Sequence, residues 1–270
     1  MMRLLLFAAT EQEISPTLQY VGRHFEPLAE TVFVKGGLQI STFISSPGQV
    51  HTLYGLERAC GGGIPDHLIH AGIAGAYNTD KYPMGSVVQI TSDAFGDLGV
   101  EEKDGRFTPA FSMGLLHPNT GVFRDGWLYN EEKNLNLLPD LPRAKGVSVN
   151  RVSGSAQTIA QMEHWYAPDV ETMESAAFFF YCLTHGLSFN AVRAISNKVE
   201  PRDRSRWNIP LAIQNLNSYL IALLDHYSEK YPVMATPPLI HMLSCLLSPK
   251  ASMNCDNQNY NRSWRAFRRM

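Results

Sequence analysis

Residues 67 to 76 read HLIHAGIAGA. The first four residues form a run of strand length, and the glycine-rich segment after them predicts a close approach of the backbone at the end of that strand. Five further apolar runs of similar length recur along the chain, bounded by Gly, Pro, Asn or Asp: residues 4–9, 38–44, 87–91, 147–152 and 189–195. The sequence therefore predicts six buried strands.

Helical segments lie between several of these strands. Residues 50–60 and 173–184 are each closed by glycine, and residues 209–227 carry apolar side chains at three- and four-residue spacing on one face. Strands alternating with helices favour a mostly parallel sheet, and Lys35-Gly36-Gly37 adds a hairpin signal. We predict an α/β fold, a single domain with one mixed β-sheet sandwiched by helices over residues 1–231, followed by a poorly ordered extension over residues 232–270.

Composition and charge restrict the partners. Of the 270 residues, 44% are apolar and 18% are charged, as in an ordinary globular protein. The formal net charge is −2, and the part before Pro232 carries about −6, because the remainder has five basic residues and one acid. Polyanion binding needs a clustered positive surface, so we predict no nucleic-acid partner and no membrane partner.

Neither a metal nor a cofactor is predicted. The four cysteines are far apart, which argues against a disulfide framework or a zinc knuckle and fits a reducing cytoplasm. The apolar run at residues 4–9 is shorter than the ~7–15 residues of a signal-peptide core, which favours a buried first strand. His67 and His70 are three residues apart on a strand and therefore point to opposite faces. The sequence has neither a P-loop nor a Gly-x-Ser-x-Gly motif.

Five short motifs follow the predicted strands or open a predicted helix, where α/β proteins bind ligands. In chain order they are Ala9-Thr10-Glu11-Gln12-Glu13, Gly72-Ile73-Ala74-Gly75, Ser153-Gly154-Ser155-Ala156-Gln157, Met173-Glu174-Ser175-Ala176-Ala177 and Arg193-Ala194-Ile195-Ser196-Asn197. Each is weak alone, but the five in this order resemble the nucleoside phosphorylase and nucleosidase superfamily. The resemblance is strongest to the methylthioadenosine/adenosylhomocysteine nucleosidases and their relatives, the futalosine hydrolases.

The resemblance implies cleavage of an N-ribosidic bond, which develops positive charge on the ribose and negative charge on the leaving purine. It makes Glu13 and Asn197 the catalytic residues, with Glu13 as general base. Glu174 would accept hydrogen bonds from the ribose hydroxyls, and Met173 would pack under the sugar. The implied substrate-binding set is Gly72, Ile73, Ala74, Gly75, Gln157, Met173, Glu174, Ser196 and Arg202. Because Gln157 replaces an aromatic residue of the family, the partner that stacks on the purine stays open, with Phe95 and Trp165 as options.

Local charge favours water over phosphate as the nucleophile. Glu11 and Glu13 would repel phosphate, whereas a carboxylate can deprotonate water. Asn197 stands where adenine-specific members carry aspartic acid. Its NH₂ can donate to O6 and its carbonyl can accept from N7–H, so hypoxanthine or guanine should leave better than adenine.

These features resemble the futalosine hydrolase branch, which implies hydrolysis of futalosine to hypoxanthine and dehypoxanthine futalosine in a menaquinone pathway. A cation for the benzoate of futalosine is then expected among Arg202, Arg204 and Arg206. A methylthioadenosine/adenosylhomocysteine nucleosidase, an inosine or guanosine phosphorylase and an inactive nucleoside-binding protein stay open as alternatives. The resemblance also implies a small-molecule nucleoside as the partner, and a homo-oligomer, dimer or larger.

Overall fold

A computed structural model describes residues 1–138 and 140–231 of the chain. Its strands are β1 (Met2–Ala8), β2 (Glu26–Ala29), β3 (Val32–Lys35), β4 (Leu38–Ile44), β5 (His67–Ala76), β6 (Val87–Asp93), β7 (Gly99–Glu101), β8 (Phe107–Pro109), β9 (Leu128–Tyr129), β10 (Arg143–Ser148), β11 (Val170–Thr172) and β12 (Phe189–Lys198). Its helices are α1 (Glu11–His24), α2 (Gln49–Cys60), α3 (Glu132–Leu135), α4 (Ala156–Tyr166), α5 (Ser175–Thr184) and α6 (Ile209–Lys230), with a 3₁₀ turn at Arg204–Arg206 before α6. The extension predicted over residues 232–270 lies outside the described residues.

One mixed sheet organises the fold. Its strand order is β11-β10-β6-β12-β5-β1-β4-β3-β2, with β9 paired to β6. The strand β5 is parallel to β1 and β12, and its last residues also pair antiparallel with β11. This last pairing joins the first strand of the order to the fifth, so the sheet curls back on itself at the carboxyl end of β5.

Helices cover both faces of the sheet. One apolar core lies on the side of α1 and α6 and includes Ile14, Val21, Leu216 and Leu220. A second core lies on the side of α2 and α5. The sheet strands between the cores are buried on both sides, as their continuous apolar sequences require. The predicted class, a mixed sheet sandwiched by helices, is confirmed.

Several local predictions need correction. The strand predicted over residues 67–70 does not end before the Gly-x-Ala-Gly segment, because β5 continues through it to Ala76. The acidic residues after β1 form the first turn of α1, a helix that was not predicted because Pro16 lies inside it. The strand predicted over residues 147–152 is β10, which ends at Ser148. The helix predicted from residue 173 begins only at Ser175, as α5, and the residues before it form the short strand β11, which was not predicted.

No helix in the described part of the chain is both long enough and apolar enough to cross a bilayer. Over the same residues, no group of three His, Cys, Asp or Glu side chains is placed to hold a metal ion. His67 and His70 are both buried in β5. Burial lowers the pKa of His67 to about 4, which keeps this imidazole neutral at physiological pH.

Candidate active site

A cavity of about 380 Å³ opens at the carboxyl ends of β1, β5, β11 and β12. Nine of the predicted site residues line it: Glu13, Ile73, Ala74, Gly75, Met173, Glu174, Ser196, Asn197 and Arg202. Gly72 lies just behind the wall, next to Glu13. Four stretches of sequence that are far apart therefore meet at one place, as expected for a ligand site at strand ends.

Glu13 is held by three backbone and hydroxyl donors. Its Oε1 accepts from the backbone N–H of Ile73 at 3.0 Å, and its Oε2 accepts from the N–H and the hydroxyl of Thr10 at 3.0 and 2.8 Å. A Cβ atom at Gly72 would stand 2.9 Å from Oε1, so a side chain there would displace the carboxylate. The helix start and the glycine together fix Glu13 against the cavity.

Glu174 enters from the other side of the cavity, at the position just before α5. It is buried, and its Oε1 accepts from the backbone N–H of Gly48 at 3.0 Å. Burial raises the pKa of Glu174, and the positive charge of Arg193 opposes that rise. Glu13 and Glu174 are thus two separately anchored carboxyl groups in the wall of one cavity.

Arg193 was missed as a site residue. It is fully buried in β12, where its guanidinium donates to the carbonyl of His70 at 2.8 Å and contacts the imidazole of His70. Burial lowers the pKa of Arg193, whereas the charges of Glu174, Glu13 and Asp93 raise it. A buried arginine needs such carboxylates. The signal in the sequence is a charged residue at a core position of an otherwise apolar strand.

Asn197 follows an irregularity in the pairing of β12 with β5. The register shifts between Ile195 and Asn197, which re-aims the side chain at the strand end. The amide Oδ1 of Asn197 accepts from the hydroxyl of Ser196 at 2.8 Å, and its Nδ2 donates to the carbonyl of Lys198 at 2.9 Å. One amide proton and one carbonyl lone pair remain for a ligand.

A buried hydrogen-bond chain supports the α5 end of the site. The hydroxyl of Ser148 donates to Asp93 at 2.9 Å and accepts from the N–H of Ala176 at 2.8 Å. Its oxygen lies 2.8 Å from that of Thr172, and because Ser148 has only one proton, Thr172 is the donor in this contact. Burial raises the pKa of Asp93 to about 8. These hydrogen bonds connect β6 and β10 to the first turn of α5, next to Glu174.

The aromatic side chain in the cavity wall is Trp207, which was not among the residues predicted from the sequence. Trp207 lines the wall, whereas Phe95 packs against Phe123 and Trp165 donates to the carbonyl of Phe107. Gln157 also lies elsewhere: its amide donates to the carbonyl of Gly105 at 2.9 Å, beside a different cavity. The helix α4 begins at Ala156 and carries the Gln157 side chain away from the predicted place.

Comparison of the sequence with known proteins matches residues 3–225 to the phosphorylase superfamily. The chain is 27% identical over 182 residues to a futalosine hydrolase of Streptomyces coelicolor, covering 63% of this chain and 66% of the relative. It is 28% identical over 147 residues to a futalosine hydrolase of Thermus thermophilus, covering 54% of this chain and 63% of the relative. The chain therefore matches just under two thirds of each relative.

Solved structures share the fold. The futalosine hydrolase of Helicobacter pylori superposes with a TM-score of 0.67 at 16% identity, covering 83% of this chain and 98% of that one. The 5′-methylthioadenosine/S-adenosylhomocysteine nucleosidase of the same organism, solved in complex with a 4-amino-5H-pyrrolo[3,2-d]pyrimidine compound, gives a TM-score of 0.68 at 17% identity, with the same coverage of 83% and 98%. Identities this low show the fold alone.

Proposed function

We propose that this chain, which belongs to the phosphorylase superfamily, hydrolyses the N-ribosidic bond of futalosine to hypoxanthine and dehypoxanthine futalosine, in the futalosine route of menaquinone biosynthesis. The observation that carries the proposal is that an anchored carboxylate, Glu13, shares one cavity with the amide of Asn197. The carboxylate suits an attacking water, and the amide suits a 6-oxopurine. Two relatives that bear the name futalosine hydrolase support the same substrate.

Glu13 is the general base in this proposal. It takes a proton from a water molecule, whose oxygen bonds to C1′ of the ribose while the bond from C1′ to N9 breaks and its electrons pass to the purine. Among the described residues of the cavity wall, Arg202 is the single lysine or arginine. A phosphorolytic site needs donors and charge to hold a dianion, so a wall with three carboxyl groups and one cation favours water.

Glu174 supplies the complementary charge. Its carboxylate would accept hydrogen bonds from the ribose hydroxyls and stabilise the positive charge that develops on the sugar. Arg193, buried behind the wall, helps to keep Glu174 ionised against the effect of burial. Met173 lines the cavity next to Glu174 and offers an apolar contact for the sugar.

Asn197 would read the base. Its free amide proton donates to O6, and its free carbonyl lone pair accepts from N7–H as that nitrogen becomes protonated. The amide has no acidic proton to give, so solvent or another residue supplies the proton to N7. Arg202, at the Trp207 side of the cavity, would bind the carboxylate at the far end of the substrate.

Assembly into a homodimer or larger oligomer, in the cytoplasm, is part of the proposal. Val50 and Tyr54 stand one turn apart on α2, and their side chains are 75% and 63% exposed. We take this exposed apolar face of α2 as the place of the subunit contact. Light scattering behind size-exclusion chromatography would give the mass of the full-length chain, and a monomer at micromolar concentration would contradict this part.

The substrate is tested with three nucleosides, each with and without inorganic phosphate. Futalosine should release its base, hypoxanthine, fastest and without phosphate; inosine should release hypoxanthine more slowly, and methylthioadenosine should release adenine most slowly. Release that depends on phosphate would identify a phosphorylase. A preference for methylthioadenosine would identify the nucleosidase alternative, and tight binding without turnover would identify an inactive binding protein.

A further inference from the structure

Glu171 has no role in the proposed chemistry, yet it lies in the wall of the same cavity. It pairs with Gly75 through β11, and Asn197 pairs with the same glycine through β12, on the opposite edge of β5. Residues in register across a sheet point to the same face. With strands about 4.8 Å apart, the backbones of Glu171 and Asn197 stand roughly 10 Å apart across Gly75.

A glycine is required between these two residues, because the neighbouring side chains leave no room for a Cβ atom there. A Cβ atom at that position would stand 3.0 Å from Nδ2 of Asn197 and 2.9 Å from a methyl group of Val199. A row of carboxylate, glycine and amide therefore crosses the floor of the cavity. A flat ring in the cavity that lies along this row would meet a polar group at each of its two ends.

The carboxylate of Glu171 is fixed and accepts hydrogen bonds only. The side chain is buried, its Oε1 accepts from the backbone N–H of Ser153 at 2.8 Å, and its Oε2 accepts from the hydroxyl of Tyr77 at 2.8 Å. Burial and the charge of Glu171 raise the pKa of Tyr77, so the phenol keeps its proton and remains the donor. Each carboxylate oxygen retains a lone pair for a ligand.

Resting on the function proposed above, we propose that Glu171 accepts a hydrogen bond from N1–H of a 6-oxopurine and so determines the specificity for that base. In hypoxanthine, N1 is protonated and donates next to O6. In adenine, N1 has a lone pair and would face the carboxylate oxygens with no proton between them. A buried polar group left facing the wrong partner costs more than a missing contact, so adenine is disfavoured.

Asn197 alone cannot distinguish a 6-oxopurine from a 6-aminopurine. An amide has a donor and an acceptor, so rotation by half a turn would let Asn197 accept from a 6-amino group and donate to N7. Its present orientation is held by the 2.9 Å bond to the carbonyl of exposed Lys198 and by the 2.8 Å bond from the hydroxyl of Ser196, and this hydroxyl can rotate to accept instead. A carboxylate that already receives two fixed donors has no corresponding rotation. Glu171 therefore discriminates where Asn197 can adapt.

Equilibrium binding of hypoxanthine and adenine to the full-length chain tests the role of Glu171 without relying on turnover. In wild type, hypoxanthine should bind at least 10-fold more tightly, and in Glu171→Gln the ratio of the two affinities should fall by about 10- to 100-fold. The variant Glu163→Gln, at an exposed position of α4, should keep the ratio within about threefold. A purely structural role would lower both affinities of Glu171→Gln in parallel and leave the ratio unchanged, which would overturn the inference.

A probe of the wild type covers the case in which Glu171→Gln does not fold. 1-Methylhypoxanthine lacks the N1 proton and should bind at least 10-fold more weakly than hypoxanthine; equal affinities would overturn the inference. The outcome is separable from that of the proposed function. Phosphate-free hydrolysis of futalosine with an unchanged affinity ratio in Glu171→Gln would refute only the role of Glu171. Phosphate-dependent cleavage with a shifted ratio would refute only the hydrolase.

Discussion

The guanidinium carbon of Arg202 lies 5.1 Å from the centre of the Trp207 ring, and both side chains line the candidate cavity. The aromatic ring restrains the guanidinium through its face and leaves the N–H groups free. Arg206 instead pairs with Glu200 at 2.9 Å, and Arg204 lies in an exposed 3₁₀ turn outside the cavity wall. Of the three arginines that follow Asn197, Arg202 is the one placed to meet an anionic substrate.

Replacing Arg202 by glutamine should raise KM for futalosine by about 10- to 100-fold, since a charge-assisted hydrogen bond is lost, and should change kcat little. Inosine has no distal carboxylate, so its kcat/KM should stay within about threefold. Arg204→Gln is the matched control, with no expected effect on either substrate. Steady-state kinetics on both nucleosides test this prediction. An equal loss of kcat/KM for inosine would mean that Arg202 contacts the ribose or the base instead.

Replacing Glu13 by glutamine should lower kcat for futalosine by about 10²- to 10⁴-fold, because an amide cannot take a proton from water. Glutamine can accept from only part of the donor set formed by Thr10 and Ile73, so a modest loss of stability of about 1–2 kcal/mol is also expected. Glu11→Gln, in the same helical turn but exposed, is the control. Turnover in Glu13→Gln within threefold of wild type, with the fold intact by circular dichroism, would exclude Glu13 as the base.

Replacing Asn197 by aspartic acid should shift the preference toward 6-aminopurine nucleosides. A protonated aspartic acid can accept from the 6-amino group and donate to N7, whereas it loses the amide donor to O6. The ratio of kcat/KM for inosine over adenosine should fall about 10-fold or more. If the ratio holds, Asn197 does not read the base, and the edge of the purine is recognised by other groups.

Replacing Asp93 by asparagine should make the stability difference from wild type depend on pH. Burial raises the pKa of folded Asp93 to about 8, whereas the unfolded carboxyl titrates near 3.9. Between these values the folded protein holds a proton that the unfolded chain has released, so wild type loses stability as pH rises. The stability of Asp93→Asn relative to wild type should therefore increase from pH 4 to 8, by at most about 1.4 kcal/mol per pH unit.

Urea denaturation at four pH values across this range measures that difference, and the subtraction removes contributions common to both proteins, such as buried His67. Asp80→Asn, at an exposed position, is the control and should give a difference that does not vary with pH. A constant difference for Asp93→Asn as well would mean that the Asp93 carboxyl is ionised in the folded protein throughout the range.

The sequence was a good guide to the fold wherever an element buries an apolar face. The strand predicted over residues 38–44 is β4, and the helix predicted over residues 209–227 forms most of α6. The strand β11 escaped prediction because it has three residues, two of them polar, and exists through its pairing with β10 and β5. The helix α1 escaped because Pro16 lies inside it. Such elements form because of contacts between residues that are distant in sequence, and a local sequence pattern does not predict these contacts.

The same contrast holds for the candidate site. Glu13, Glu174 and Asn197 were predicted at one site because their motifs, in that order along the chain, resemble those of the nucleosidase superfamily and lie at the ends of predicted strands or at the start of a predicted helix. Gln157 was expected at the cavity and is absent from it because the first turn of α4 directs it to Gly105. Trp207 could not be placed, because it lies in an irregular segment between the 3₁₀ turn and α6, where no periodicity fixes the direction of a side chain.

The most direct test of hydrolysis is the identity of the sugar product when futalosine is incubated with the full-length chain in the presence of millimolar inorganic phosphate. Mass spectrometry separates the free sugar from its 1-phosphate. If Glu13 activates water at C1′, the product is dehypoxanthine futalosine with its free anomeric hydroxyl, formed at the same rate with and without phosphate. Formation of the sugar 1-phosphate, or cleavage only when phosphate is present, would contradict the account.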